Sequence, residues 1–180
     1  MNELTRLIDS TTVDVSTACL RLLVSFLLGA VIGAERQARR REAGLRTFTL
    51  ICLGSTMSML VSIWIPQTYP NFLNGDPGRI AAQVLTGIGF LGAGAIIQSR
   101  GSIHGLTTAA GVWVVAVIGL AVGAGMFLPA IILTILTVVV LTTLEYFEKR
   151  ALSGGVNKIL VVVCSTADPD IAAIRRIFDC

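Results

Sequence analysis

Residues 105–144 read GLTTAAGVWVVAVIGLAVGAGMFLPAIILTILTVVVLTTL, a stretch without one charged side chain. A helix crossing a bilayer needs roughly 20 mostly apolar residues. This stretch holds two such runs, Leu106 to about Gly123 and about Leu128 to Leu144, with only Gly123-Ala-Gly-Met-Phe127 between them. A single helix of that length would overrun any bilayer. A connection this short instead forces an antiparallel helical hairpin, and Pro129 suits a first-turn position.

Three more apolar runs precede it. The first extends from about Val15 to Ala34, with Arg21 in its first half, where a long side chain can snorkel to the nearer interface. The second extends from Leu45 to Ile65 and is expected to close at Pro66; the third starts at Arg79 or Ile80 and ends near Ile97. The composition agrees, with 54% hydrophobic and 14% charged residues among 180 and a mean hydropathy of +0.81. Soluble domains carry about 25% charged residues, and a water-soluble fold of this size has no place for so much apolar surface. The expected fold is an all-α membrane protein, a bundle of about five transmembrane helices.

Charge sets the expected orientation. Five of the fourteen basic residues lie between Arg36 and Arg46, in the first loop. The loop from Pro66 to Gly78 has no Lys or Arg and contains Asp76; Arg100 and His104 mark the third loop, and the tail opens with Glu-Lys-Arg. Cytoplasmic loops are the ones enriched in Lys and Arg, so the N-terminus is placed outside and the C-terminus in the cytoplasm. The net charge of +3 belongs to this pattern and gives no separate reason to expect a nucleic-acid partner. Cys19, Cys52, Cys164 and Cys180 show neither a C-x-x-C motif nor regular spacing, so neither a disulfide framework nor a zinc site is expected.

Residues 1–150 form the expected transmembrane domain and 151–180 a cytoplasmic tail. After Ser153-Gly-Gly155, Lys158–Cys164 reads as a strand and Ile171–Phe178 as a helix. One strand and one helix cannot bury a core alone, so the segment belongs to something larger or stays a tail with some helical tendency.

Gly87-Ile-Gly-Phe-Leu-Gly92 satisfies the dinucleotide pattern G-x-G-x-x-G, yet it lies inside an apolar run with no Asp or Glu between Asp76 and Glu145. The nucleotide reading is rejected, because the fingerprint needs a strand before it and a ribose-binding acid after it. Gly87, Gly89, Gly92 and Gly94, with Gly29/Gly33 and Gly119/Gly123, instead read as helix-packing positions, as do Gly54, Ser58 and Ser62 at four-residue spacing. Charge inside a bilayer is costly and seeks a partner in the bundle. Arg21 and Glu35, fourteen positions apart, fall within roughly 40° on one helix face. Asp76 and Arg79 meet at the outer mouth of the third helix, with Gln83 one turn deeper. Asp76 reads either as a helix cap or as an external site attracting a cation; one carboxylate makes a poor divalent site. His104 reads as a solvated loop group or a pH-sensitive one, and Thr107 and Thr108 as capping the fourth helix. No nucleophile with a base and orienting partner is visible, so neither catalysis nor a cofactor is expected.

Four blocks together carry a resemblance: RLLVSFLLGAVIGAER (21–36), AGLRTFTLICLG (43–54), DPGRIAAQVLTGIGFLGAGAI (76–96) and GLTTAAGVWVVAVIGLAVGAG (105–125). In order and spacing they resemble the MgtC/SapB family. The resemblance implies a bacterial inner-membrane protein with about five membrane helices, linked to growth when magnesium is scarce and to survival of bacteria in host cells. It implies a non-enzymatic regulator rather than a magnesium transporter, acting on membrane partners that include the ATP synthase and a small regulatory membrane peptide. A transporter or channel for magnesium or another small solute is the rival. The polar set carried over by position is Arg21, Glu35, Arg36, Arg46, Asp76, Arg79, Gln83, Thr107 and Thr108. Longer members end in an ACT-like cytoplasmic domain, of which residues 151–180 resemble the incomplete beginning. The glycine faces make a homodimer the expected assembly.

Overall fold

A computed structural model describes residues 13–69, 76, 78–99 and 102–144. The chain divides into two units, Met1–Glu145 and Tyr146–Cys180. The strand expected at 158–164 and the helix expected at 171–178 lie outside the described residues.

Five helices follow in order: α1 (Val15–Ala38), α2 (Leu45–Thr68), α3 (Gly78–Gly94), α4 (Leu106–Gly123) and α5 (Phe127–Val139), the last continued by a π turn, Val140–Leu144. Asp14 opens α1, its N–H donating to Thr17 Oγ1 at 2.8 Å, one arm of a capping box. At the other end Arg40 takes the left-handed conformation (φ 54°) that a glycine usually fills, and Arg41 N–H reaches back to the Arg36 carbonyl at 3.1 Å. Gly125, also at positive φ, turns the chain between α4 and α5, and Pro129 sits in the first turn of α5. Helices α1, α2 and α4 are long and apolar enough to cross a membrane; α3 has 17 residues, and α5 with its π turn is a shorter apolar helix. The molecule is a helical membrane protein.

Three expectations need correction. Pro66 does not close α2, which runs to Thr68; beyond the proline, the Tyr69 N–H still closes on the Ile65 carbonyl at 3.1 Å. The third span stops at Gly94 rather than near Ile97. A short antiparallel hairpin follows, β1 (Ile97–Ser99) with β2 (Ser102–His104), pairing Ile97 with His104 and Gln98 with Ile103. Thr107 and Thr108 do not cap α4. That place belongs to Gly105 at φ 89°, where a Cβ would collide with the Ala95 carbonyl. Only glycine lets the hairpin turn back into α4 so close to the end of α3.

Helix α4 is the centre of the bundle, in contact with α1, α2, α3 and α5. Its Val112, Val115, Ala116, Ile118 and Val122 are buried with Ile32 of α1 and Phe48 and Cys52 of α2. Outward-facing Leu23, Phe26, Leu50, Phe90, Leu128 and Ile135 are exposed, the inverse of a water-soluble surface and what hydrocarbon requires. The closest approaches are made by glycines. A Cβ at Gly29 would lie 2.8 Å from that of Cys52, and one at Gly33 2.7 Å from the Leu45 Cα. Where α4 meets α2, a Cβ at Gly119 would strike the Cys52 carbonyl, and one at Gly123 would lie 2.6 Å from the Met59 Cβ. Gly92 faces Ala109 of α4 at ordinary contact distance, whereas among the described residues Gly87, Gly89, Gly94 and also Gly54 have nothing within 4 Å of the Cβ position. The close approach expected at Gly87, Gly89 and Gly94 is therefore not made among the described residues.

This difference is measurable. Gly33→Ala and Gly119→Ala each push against backbone and should cost about 1–3 kcal/mol, the usual penalty of overpacking. Gly87→Ala, built into open space, should be neutral or slightly stabilising, since alanine is the better helix former. Thermal unfolding in detergent micelles checks the ranking, and equal losses at Gly33 and Gly87 would refute it.

Candidate functional site

The polar residues of the bundle fall into four groups. The first surrounds Arg21. Thr17, Arg21, Ser25, Gly29, Ile32, Gly33 and Arg36 form the buried stripe of α1, so a four-residue rhythm of small and polar residues turns Arg21 inward. Only 2% exposed, it donates from Nη1 to the Gly123 carbonyl at 2.8 Å. Gly125 lies against the same guanidinium, 3.1 Å separating its Cβ position from Arg21 Nη2. The cation thus meets the last turn of α4, where helix carbonyls lack helical partners and the dipole is negative.

The second group lies one turn further along α1. Ser25 donates to the Cys52 sulfur at 3.2 Å, and Thr56 shares its hydroxyl proton between Ser25 Oγ at 2.7 Å and the Gly119 carbonyl at 2.8 Å. These bonds tie α1, α2 and α4 together and satisfy one another.

The third lies at the opposite end of α1. Glu35 receives Arg36 Nε at 2.5 Å and Arg39 Nε at 2.5 Å, with Arg36 Nη2 donating at 3.0 Å. At the long limit of 3.5 Å, Arg36 reaches the Leu141 carbonyl and Arg39 the Thr142 carbonyl, both in the π turn that follows α5. Close by in sequence, Glu42 accepts from the buried Thr108 at 3.4 Å.

The fourth is a cleft of about 390 Å³ between α2 and α3. It is lined by Ser62, Ile65 and Pro66 on one side and by Asp76, Arg79, Ile80 and Gln83 on the other. Asp76 Oδ1 accepts the Gly78 N–H at 2.7 Å, so the carboxylate caps α3. No Asp76–Arg79 ion pair forms among the described residues, although the two share the cleft. Among the described residues no three His, Cys, Asp or Glu side chains are grouped as metal ligands, and a cation in the cleft would meet one carboxylate beside a guanidinium.

The structure brings Asp76, Arg79 and Gln83 together, joins Glu35 to Arg36, and bonds the buried Arg21 and Thr108 to Gly123 and Glu42. Arg46 and Thr107 are exposed at the starts of α2 and α4. Sequence reasoning missed Arg39, whose signal was its four-residue distance from Glu35, and Ser62, seen only as a small packing residue. It also missed the Ser25–Cys52–Thr56 set, which no local spacing announces because it joins three helices.

Glu35 holds the counter-charge of an arginine that is only 1% exposed. Glu35→Gln should therefore destabilise the bundle strongly, by about 3–5 kcal/mol, as breaking one side of a buried pair does. Glu35→Gln with Arg36→Met should recover part of that loss, since the stranded charge is then gone. Thermal unfolding of the two single variants and the double variant measures the coupling; purely additive losses would show that the pair does not act as a unit.

Comparison with known proteins places this geometry. The MgtC family model matches residues 22–150. The chain is 40% identical over 146 residues to the "Putative magnesium transporter YhiD" of Escherichia coli K12, covering 80% of this chain and 68% of that protein. It is 42% identical over 163 residues to the "Protein MgtC" of Salmonella typhimurium LT2, covering 87% and 67%. An uncharacterised protein of Haemophilus influenzae is 42% identical over 123 residues, 66% of this chain and 52% of its own length. No solved structure matches. With its model covering residues 22–150 and relatives at this identity over most of the length, the chain belongs to the MgtC family.

Proposed function

We propose that this protein is a non-enzymatic regulator in the bacterial inner membrane, serving magnesium-related membrane function through contacts with other membrane proteins. The observation that carries this reading is the filled centre of the bundle. Ile32, Phe48, Val115, Ala116, Ile118 and Val122 are fully buried around α4. Most of the polar groups beside them are bonded to backbone or to each other, as Arg21 Nη1 is to Gly123 and Thr56 to Gly119, Thr49 Oγ1 being an exception. A transporter places its substrate site near mid-membrane, at broken helices and unwound backbone, whereas here the centre of the bundle is occupied by close-packed side chains.

Magnesium enters through the names of relatives, one called MgtC and one called a putative magnesium transporter. The family resemblance adds adaptation to low magnesium, the ATP synthase and a small membrane peptide as partners. Loop charge supports five spans with the N-terminus outside and the C-terminus in the cytoplasm, because Arg39, Arg40, Arg41 and Arg46 crowd the α1–α2 connection. Helix α3 is the surface best suited to a partner or to a second copy in a homodimer: Gly87, Gly89 and Gly94 face open space, and Phe90 is 83% exposed.

Magnesium flux into proteoliposomes holding folded, inserted protein should not exceed that of protein-free liposomes. Cells lacking the protein should meanwhile grow less well in low-magnesium medium and recover when it is restored. Saturable flux that disappears in Asp76→Ala would overturn the regulator in favour of a transporter.

A further inference from the structure

We propose that the cleft between α2 and α3 binds the headgroup of a zwitterionic, primary-amine phospholipid, its phosphate at Arg79 and its ammonium at Asp76. The inference needs only that the bundle lies in a bilayer, and it stands or falls separately from the regulatory reading.

Depth is the first argument. Trp64 and Tyr69 stand at the same end of α2 as the cleft, both exposed, with their rings edge to face and centroids 6.1 Å apart. Amphipathic aromatic side chains collect where hydrocarbon meets headgroups. Ser62, Ile65 and Pro66, interleaved with this pair in sequence, therefore line the cleft at headgroup level. Its volume of about 390 Å³ falls in the range of ligand-sized pockets.

Charge is the second. Asp76 and Arg79 are three residues apart and line one cleft, yet they do not pair with each other. Asp76 is held in place through Oδ1 by the Gly78 N–H, and its Oδ2 accepts nothing within α3. Both side chains are exposed. An anion and a cation kept apart on one turn present the complement of a zwitterion. The guanidinium fork suits a phosphate, and a carboxylate oxygen suits the N–H donors of a primary ammonium. Gln83, one turn deeper, offers an amide to the ester region, while Ile65, Pro66 and Ile80 give apolar contact to the glycerol and the first acyl carbons.

The same groups argue against other occupants. An anionic headgroup without an ammonium would place its phosphate near Asp76 with no compensation. A quaternary ammonium has no N–H to donate and is better served by an aromatic cage. A divalent cation needs several oxygen ligands and would sit beside Arg79. A free phosphoamine is a phosphate monoester with extra negative charge, and it has no use for the apolar half of the lining.

The test is lipid retention by the full-length protein, followed by native mass spectrometry after exchange into equal mixtures of phosphatidylethanolamine, phosphatidylcholine and phosphatidylglycerol with matched acyl chains. Phosphatidylethanolamine should be retained over both others. Arg79→Gln should weaken its retention roughly tenfold or more, the worth of a charge-assisted hydrogen bond. Asp76→Asn keeps an oxygen to cap Gly78, so it should fold as the wild type does while losing the preference for the primary amine. Equal retention of all three lipids, a preference for phosphatidylglycerol, or an unchanged preference in Asp76→Asn of wild-type thermal stability would each overturn the proposal. So would displacement of the lipid by free phosphoethanolamine at equal concentration, which would assign the cleft to a soluble ligand.

Discussion

The bundle depends on how closely α1 and α4 approach α2. Between apolar helices in lipid there is little hydrophobic gain from association, so cohesion comes from contact and from hydrogen bonds. Contact requires short distances, and short distances require positions without a Cβ. Gly29 and Gly33 bring α1 onto α2 at Cys52 and Leu45, and Gly119 and Gly123 bring α4 onto it at Cys52, Thr56 and Met59. Cys52 therefore lies where both seams meet. The Ser25–Cys52–Thr56 hydrogen bonds form there because glycine has already brought the backbones within reach.

The charges of α1 act within that frame. Arg21 and Arg36 are fifteen residues apart, a rise of about 22 Å along the helix. Helix α4 ends at one face of the bundle and α5, running back, reaches its π turn at the other. Arg21 binds the last turn of α4, whereas Arg36 and Arg39 reach the carbonyls of the π turn. One helix thus supplies cations to the C-terminal ends of two antiparallel neighbours, each where the helix dipole favours positive charge. Glu35 keeps the second pair of arginines from repelling each other and sets their direction.

Much of this architecture was legible in the sequence, for identifiable reasons. Helix α4 is bounded by glycines and lacks charge, so its limits of Leu106 and Gly123 were readable directly. The α2 boundary misled because a proline close to a helix end removes one donor without stopping the last turn. The hairpin at 97–104 was unreadable because strands of three residues carry too little periodicity to stand out. Spacing placed Arg21 and Glu35 on one inward face, but the partner of Arg21 is a backbone carbonyl 102 positions away, which side-chain patterning cannot reveal. Likewise glycines recur on α3 as they do on α1, and only the fold distinguishes a seam that is filled from one left open.

That distinction bears on where function resides. Arg21, Arg36, Ser25 and Thr56 are buried in contacts that hold helices together, so their chemistry is committed to the bundle. Helix α3 is different. Within it only Ile88 and Gly92 are buried, its glycines mostly face open space, and its first turns carry Arg79 and Gln83 along the cleft behind Asp76. A helix that contributes so little to internal packing yet keeps charge at the membrane boundary is free to answer to what lies outside the chain. The close-packed part of the molecule, α1 with α2 and α4, then carries α3 against α2 and α4. It is on α3 and its cleft, rather than on the buried arginines, that the proposed lipid would meet this protein.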